Sequence, residues 1–241
     1  MVHDTSVSES QRKYLIIGPS WIGDMVMAQS LFITLKQLHP DCAIDVVSPR
    51  WSLPVLQRMP QIRNGIALPV SHGEFSFGLR YRLGRSLKSR LYTHAIVLPR
   101  SWKSALVPFF AGVPVRTGYK GEMRYGLLND MRTLDSTVLT QTVQRYVAHA
   151  YDATEYTASP PEVPYPELQL DKQNTDRLFE ELGLNLDKPV VGFMPGAEYG
   201  PAKQWPVEYY AQLASMLVER HYQVWVFGSC LLYTSDAADD L

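Results

Sequence analysis

The sequence predicts an α/β protein built on parallel sheets. Short apolar runs alternate with stretches whose apolar residues recur at helical spacing along most of the chain. Loops rich in small residues join several runs to the helix that follows, and a proline cluster divides the alternation in two. Such alternation implies a sheet covered by helices on both faces, with its site beyond the carboxyl ends of the strands.

Tyr14-Leu15-Ile16-Ile17 reads as the first strand, and further strands are expected near about 43–48, 64–68, 94–98 and 114–117. Helices are expected near about 24–38, 51–58, 78–90, 102–111 and 137–151. Pro160, Pro161, Pro164 and Pro166 mark a linker over about 156–166. A second unit over about 167–229 then offers a helix near 171–183, a strand through Pro189-Val190-Val191-Gly192-Phe193, a helix near 207–220 and a strand near 223–227.

Two loops hold the chemistry. Gly18-Pro19-Ser20-Trp21-Ile22-Gly23-Asp24 follows the first strand. It is not a dinucleotide fingerprint, because Gly18 and Gly23 lack the required intermediate spacing, and it is not a P-loop, because Asp24 stands where the phosphate-binding lysine would be. Asp24 either caps the next helix, which is worth about 1 kcal/mol, or serves as a base facing a crevice. The second loop runs from Met194 to Pro206 between a strand and a helix. Its backbone N–H groups and the positive helix end suit an anion, and Lys203 adds a full charge there. The simpler reading is a βα turn with a surface lysine.

The chain has 241 residues, 46% of them hydrophobic, enough for one large or two smaller cores. Its formal net charge of −1 favours no partner, but charge is uneven. From Arg80 to Arg132 eleven basic residues face only Glu122 and Asp130, which suits an anionic partner. Arg82, Arg85, Lys88 and Arg90 read as solvated helix faces, whereas Arg100, Lys103, Lys120 and Arg124 fall in loops or at helix starts. No nucleic-acid-binding module accompanies them. His72, His94, His149 and His221 lack metal-ligand spacing, and Cys42 has no disulfide framework, consistent with a reducing compartment. No apolar run approaches the roughly 18 residues of a membrane span. Residues 1–12 lack a signal-peptide core and read as a disordered leader.

Four motifs in one order resemble the ADP-heptose glycosyltransferases, glycosyltransferase family 9. They are Gly18 to Asp24, Leu98 to Gly112, Arg116 to Asp130 and Pro195 to Pro206. The resemblance implies a GT-B-like fold, two Rossmann-like domains facing a cleft, of which 13–155 is the acceptor side and 167–229 an incomplete donor side. It implies inverting transfer of L-glycero-D-manno-heptose from ADP-heptose to the first heptose of the lipopolysaccharide inner core, with no cofactor and no metal. Asp24 matches the family's base and Lys203 its diphosphate lysine, with Gly196, Glu198 and Tyr199 in the same donor loop. Lys120, Arg124, Arg100 and Lys103 are expected on a phosphorylated heptosyl-Kdo-lipid A acceptor. The implied setting is the cytosolic face of the inner membrane, with peripheral contact through that substrate. Trp102, Phe109 and Phe110 could add to such contact, although helix core is the preferred reading for all three.

The resemblance stops at Ser229, and residues 230–241 continue no βα unit. They read as a non-native tail on a truncated, inactive copy, and Cys230 is set aside with them. Other readings are a different nucleotide-sugar transferase of the same architecture, or a non-catalytic module binding glycolipid or nucleotide.

Overall fold

The computed structural model describes residues 12–69, 75–156, 158–196, 202 and 204–228. Lys203, Glu198, Tyr199, His72 and Cys230 lie outside the described residues. The chain divides into two compact units, Met1–Leu170 and Asp171–Leu241.

Unit 1 is built on six strands: β1 (Lys13–Ile17), β2 (Ala43–Ser48), β3 (Asn64–Ala67), β4 (His94–Val97), β5 (Val115–Tyr119) and β6 (Asp130–Arg132). Their order is β3-β2-β1-β4-β5-β6, and every neighbouring pair is parallel. The register sets Leu15 beside Asp45 on one side and Ala95 on the other. The chain moves outward from β1 through β2 to β3, then returns to β4 and moves the other way. The order therefore switches between β1 and β4, where parallel α/β sheets open a crevice at their carboxyl edge.

Alternate residues of β1 feed two cores. Tyr14 and Ile16 face α1 (Ile22–Leu38), α2 (Leu53–Leu56) and α5 (Thr142–Val147), packing with Met25, Leu31, Leu35 and Leu56. Leu15 and Ile17 face the layer of α3 (Phe77–Leu87) and α4 (Leu106–Phe110), packing with Leu87, Val107 and Ala111. This is the period-two pattern of a sheet buried on both faces.

Several boundaries differ from expectation. Helix α1 begins two residues early, at Ile22, so Trp21 occupies the N-cap position and Asp24 sits in the first turn. Capping is thus not the role of Asp24. The expected 102–111 helix is a 3-10 turn over Trp102–Ala105 followed by α4, and β6 was not anticipated because Asp130-Met131-Arg132 has no apolar run. The expected helix core at Trp102 and Phe109 is also corrected: they are 36% and 41% exposed.

Residues 164–169 pack along unit 1. Ser30 Oγ donates to the Pro164 carbonyl at 2.7 Å, and Gln29 Nε2 donates to that of Glu167 at 2.6 Å. Those bonds explain how two polar side chains of α1 are fully buried without loss.

Unit 2 contains α6 (Lys172–Glu181), β7 (Val190–Phe193), α7 (Val207–Glu219) and β8 (Gln223–Val226). Strands β7 and β8 form a parallel pair. Asp171 caps α6, accepting from the Asn174 N–H at 3.0 Å.

Candidate active site at the carboxyl edge of unit 1

Asp24 reaches this edge because β1 runs straight into a short turn. The Gly18 N–H donates to the Val47 carbonyl at 2.9 Å, carrying the β1–β2 ladder one step further. A Cβ on Gly18 would come within 2.6 Å of the terminal methyl of Met25 and 3.2 Å of a Val46 methyl, so a larger residue there would push the Met25 tip aside. Trp51 Nε1 donates to the Ser20 carbonyl at 2.9 Å and pins the turn. Asp24 is left half-buried, and among the described residues it makes no hydrogen bond or ion pair. Its charge is felt by Tyr146 of α5, whose phenol is pushed up by burial and then by Asp24. An unpaired, partly solvated carboxylate is free to take a proton from a bound hydroxyl.

The carboxyl ends of β4 and β5 bring the predicted basic residues together. Arg100 is exposed, and its Nη2 donates to the Lys120 carbonyl at 3.1 Å. The Glu122 N–H donates to the Arg100 carbonyl at 3.3 Å, while the Trp102 N–H donates to Glu122 Oε2 at 3.0 Å. A Cβ on Gly121 would lie 2.5 Å from the Arg100 carbonyl oxygen, so the two loops interlock only with glycine there. Lys120 is exposed and Lys103 half-buried.

Arg124 differs from the other three. It is wholly buried, donating through Nη1 to the Pro99 carbonyl at 2.7 Å and through Nη2 to the Tyr119 carbonyl. Its Nε finds no hydrogen-bond partner among the described residues. Burial, then Arg100, pulls its guanidinium below the ordinary range. The side chain ties the β4 loop to the end of β5, holding the backbone beside Arg100 and Lys120. Sequence spacing gave no sign of this, because both acceptors are backbone carbonyls, which carry no side-chain signature, and Pro99 lies 25 residues away.

Two further polar nodes were not foreseen. Asp45 is fully buried on β2 and accepts from Arg63 at 2.8 and 2.9 Å, Asn64 at 3.0 Å, Tyr92 at 2.6 Å and Arg90 at 3.3 Å. Burial alone would raise its carboxyl, but the hydrogen bonds from Arg63, Tyr92 and Asn64 hold it below the usual value. Arg90 is therefore an ion-pair partner and not only part of a solvated face. Towards the amino edge, His149 lines a cavity of about 140 Å³ with His94, Thr117, Asp130 and Arg132. The His149 ring lies 4.3 Å from that of Tyr119, and burial lowers its pKa to about 3. Neither ring nitrogen has a hydrogen-bond partner among the described residues. No group of three or more His, Cys, Asp or Glu among the described residues is placed to hold a metal ion.

In unit 2 the predicted donor loop leaves the end of β7, and exposed Gly196 is its one predicted site residue within the described part. Trp205 contacts the rings of Tyr209 and Tyr210, at 5.7 and 4.8 Å, beside the start of α7. The N-cap position of that helix is Pro206, which makes no side-chain cap bond.

The comparisons agree with this architecture. Lipopolysaccharide heptosyltransferase 2 of Salmonella typhimurium is 49% identical over 220 residues, covering 90% of this chain and 63% of that protein. The protein of the same name from Escherichia coli matches with the same identity and coverage. A solved structure, Escherichia coli ADP-heptose LPS heptosyltransferase II, matches with a TM-score of 0.81 and 45% identity, covering 91% of this chain and 65% of that one. The chain thus spans 63% of the length of these curated relatives. A family profile, glycosyltransferase family 9 (heptosyltransferase), matches residues 80–234, and the chain belongs to that family.

Proposed function

We propose that this chain serves inverting transfer of L-glycero-D-manno-heptose from ADP-heptose to the first heptose of a phosphorylated lipopolysaccharide inner core. The observation that carries this reading is Asp24, unpaired among the described residues, on the same sheet edge as Arg100 and Lys120. The Salmonella and Escherichia coli relatives, named for heptosyl transfer to lipopolysaccharide, support it.

In the proposed reaction the acceptor hydroxyl attacks the anomeric carbon while Asp24 takes its proton. The bond from that carbon to the diphosphate oxygen breaks, and ADP departs with the electron pair. Attack opposite the leaving group inverts the centre. Lys203 offsets charge on the departing diphosphate, with Gly196, Glu198 and Tyr199 in the same loop. Arg100, Lys103 and Lys120 meet acceptor phosphates, and Arg124 acts as a positioning residue behind them. The work is done at the cytosolic face of the inner membrane, where the enzyme meets its lipid-linked acceptor.

The test is heptose transfer to a heptose-terminated acceptor, by this chain and by this chain joined to the remaining third of the Escherichia coli relative. Asp24→Asn is expected to lower kcat by about a hundred- to ten-thousand-fold with the melting temperature unchanged. Ligand binding without turnover in both proteins would favour a binding module, and turnover unaffected by Asp24→Asn would remove Asp24 as base.

A further inference from the structure

Unit 1 exposes an aromatic ridge that the sugar chemistry does not use. Phe75 lies 4.9 Å from Trp102 and 6.0 Å from Phe77, while Phe110 lies 5.7 Å from Phe77 and 4.9 Å from Tyr81. Phe75, Phe77 and Tyr81 are 42%, 46% and 42% exposed. A soluble surface rarely leaves so many touching rings in water unless they meet a partner.

The ridge is rigid. A Cβ on Gly84 would fall 2.6 Å from Phe110 Cβ and 2.7 Å from the Val107 carbonyl oxygen, so glycine lets α4 lie directly against α3. Arg80, buried beneath the rings, donates to the Phe75 carbonyl at 2.9 Å and to the Lys103 carbonyl at 3.5 Å. It staples the segment before α3 to the turn that carries Trp102.

Charge identifies the partner. From Phe75 to Gly121 the chain carries nine Lys or Arg and no Asp or Glu. Arg82 and Arg85 on α3 and Lys88 just after it are exposed and form no ion pair among the described residues. A second copy would bring the same cations to a face-to-face contact and be repelled. An anionic bilayer meets both features, because aromatic rings settle at the headgroup level and basic side chains are drawn to acidic lipids.

Position completes the argument. Helix α3 and the Trp102 turn each follow a parallel strand, so both start at the carboxyl edge that carries Asp24, Arg100 and Lys120. We infer that the α3–α4 aromatic ridge docks unit 1 directly on an anionic phospholipid surface, holding its reactive edge at the level of a lipid-linked acceptor. This rests on the glycolipid reading for its purpose but on the ridge itself for its evidence. It differs from contact made only through substrate.

The experiment is sedimentation of the full chain with vesicles, in the absence of sugar nucleotide and acceptor. Binding is expected to vesicles of phosphatidylcholine with phosphatidylglycerol, to weaken at high salt, and to be slight with phosphatidylcholine alone. Combined Phe77→Ser, Tyr81→Ser and Trp102→Ser should lower partitioning about tenfold or more. Arg85→Glu with Lys88→Glu should lower it about tenfold. Melting curves check that each variant folds, and brominated lipid should quench wild-type fluorescence more than that of Trp102→Phe. The inference is overturned if the wild type ignores anionic vesicles or the ridge variants bind equally well. It is also overturned if the substitutions abolish self-association or binding to an acidic protein while vesicle binding is absent. Vesicle binding without heptose transfer would count against the transfer reading alone, and transfer without vesicle binding against docking alone.

Discussion

The two units use similar strand–helix wiring and reach very different degrees of burial. Unit 1 has two apolar layers, with Leu15, Ile16, Phe32 and Val46 fully removed from water. Among the described residues of unit 2, Phe193 is the one buried hydrophobic side chain, and neither α6 nor α7 buries a residue. A six-stranded sheet covered on both faces has ample apolar burial to offset chain entropy, whereas an isolated two-stranded pair is marginal. The comparison teaches that stability and chemistry are distributed unequally. Residues proposed to hold the acceptor stand on an over-determined scaffold, while the proposed donor loop belongs to the less buried unit.

The largest expected effect tests the weaker side. Phe193→Ala should cost about 3–5 kcal/mol and abolish protection from hydrogen exchange throughout β7 and β8 while unit 1 keeps its own. Equal loss in both units would show that they unfold together and break the comparison. Next, Asp45→Ala should destabilise unit 1 by about 3 kcal/mol, the low end for breaking a buried ion pair, because Arg63 and Arg90 are partly exposed and regain water. Calorimetry with two resolved transitions should show the shift in unit 1 alone.

These two positions also show what a linear reading detects. The strands were legible because each apolar run is local: Tyr14 to Ile17 announces β1 by itself. Asp24 was legible as a candidate because its loop follows that run. The Asp45 node was not, since its partners arrive from the entry to β3 (Arg63 and Asn64) and from the turn between α3 and β4 (Arg90 and Tyr92). Nothing local marks Gln29 for burial, because its partner carbonyl, at Glu167, lies far along the chain. Periodicity also marked Trp102 and Phe109 as apolar helix positions without revealing that their rings stay in water. Pattern indicates which residues are apolar, and long-range packing decides which are covered.

A smaller effect sharpens the site. Arg124→Met removes a buried cation, which is favourable, but takes one donor from the Tyr119 carbonyl and one from the Pro99 carbonyl, which among the described residues keeps only Ser104 Oγ at 3.1 Å. The balance should be a loss of about 1–3 kcal/mol. If Arg124 positions its neighbours, acceptor KM should rise while donor KM holds, and Arg124→Lys should restore part of the loss. An unchanged acceptor KM would leave Arg124 a purely structural residue.

The last effect is graded, because it is set by pH. Burial lowers His149 to about 3, against an ordinary value of 6.5, with Arg132, Asp130 and Arg124 as its charged neighbours. Between those values the unfolded chain binds a proton that the folded chain does not, so stability rises with pH. The contribution is present above about 6.5 and declines as pH falls, by about 1.4 kcal/mol per unit. Asp45 and Asp130, whose carboxyls are held below the usual 3.8, weaken the fold only at lower pH. His149→Phe should therefore reduce the dependence of unit 1 stability on pH between about 6.5 and 4.5, leaving the share of His94, which burial also lowers, and the acid loss of the carboxylates. An unchanged dependence in unit 1 would mean that proton uptake is not localised at His149.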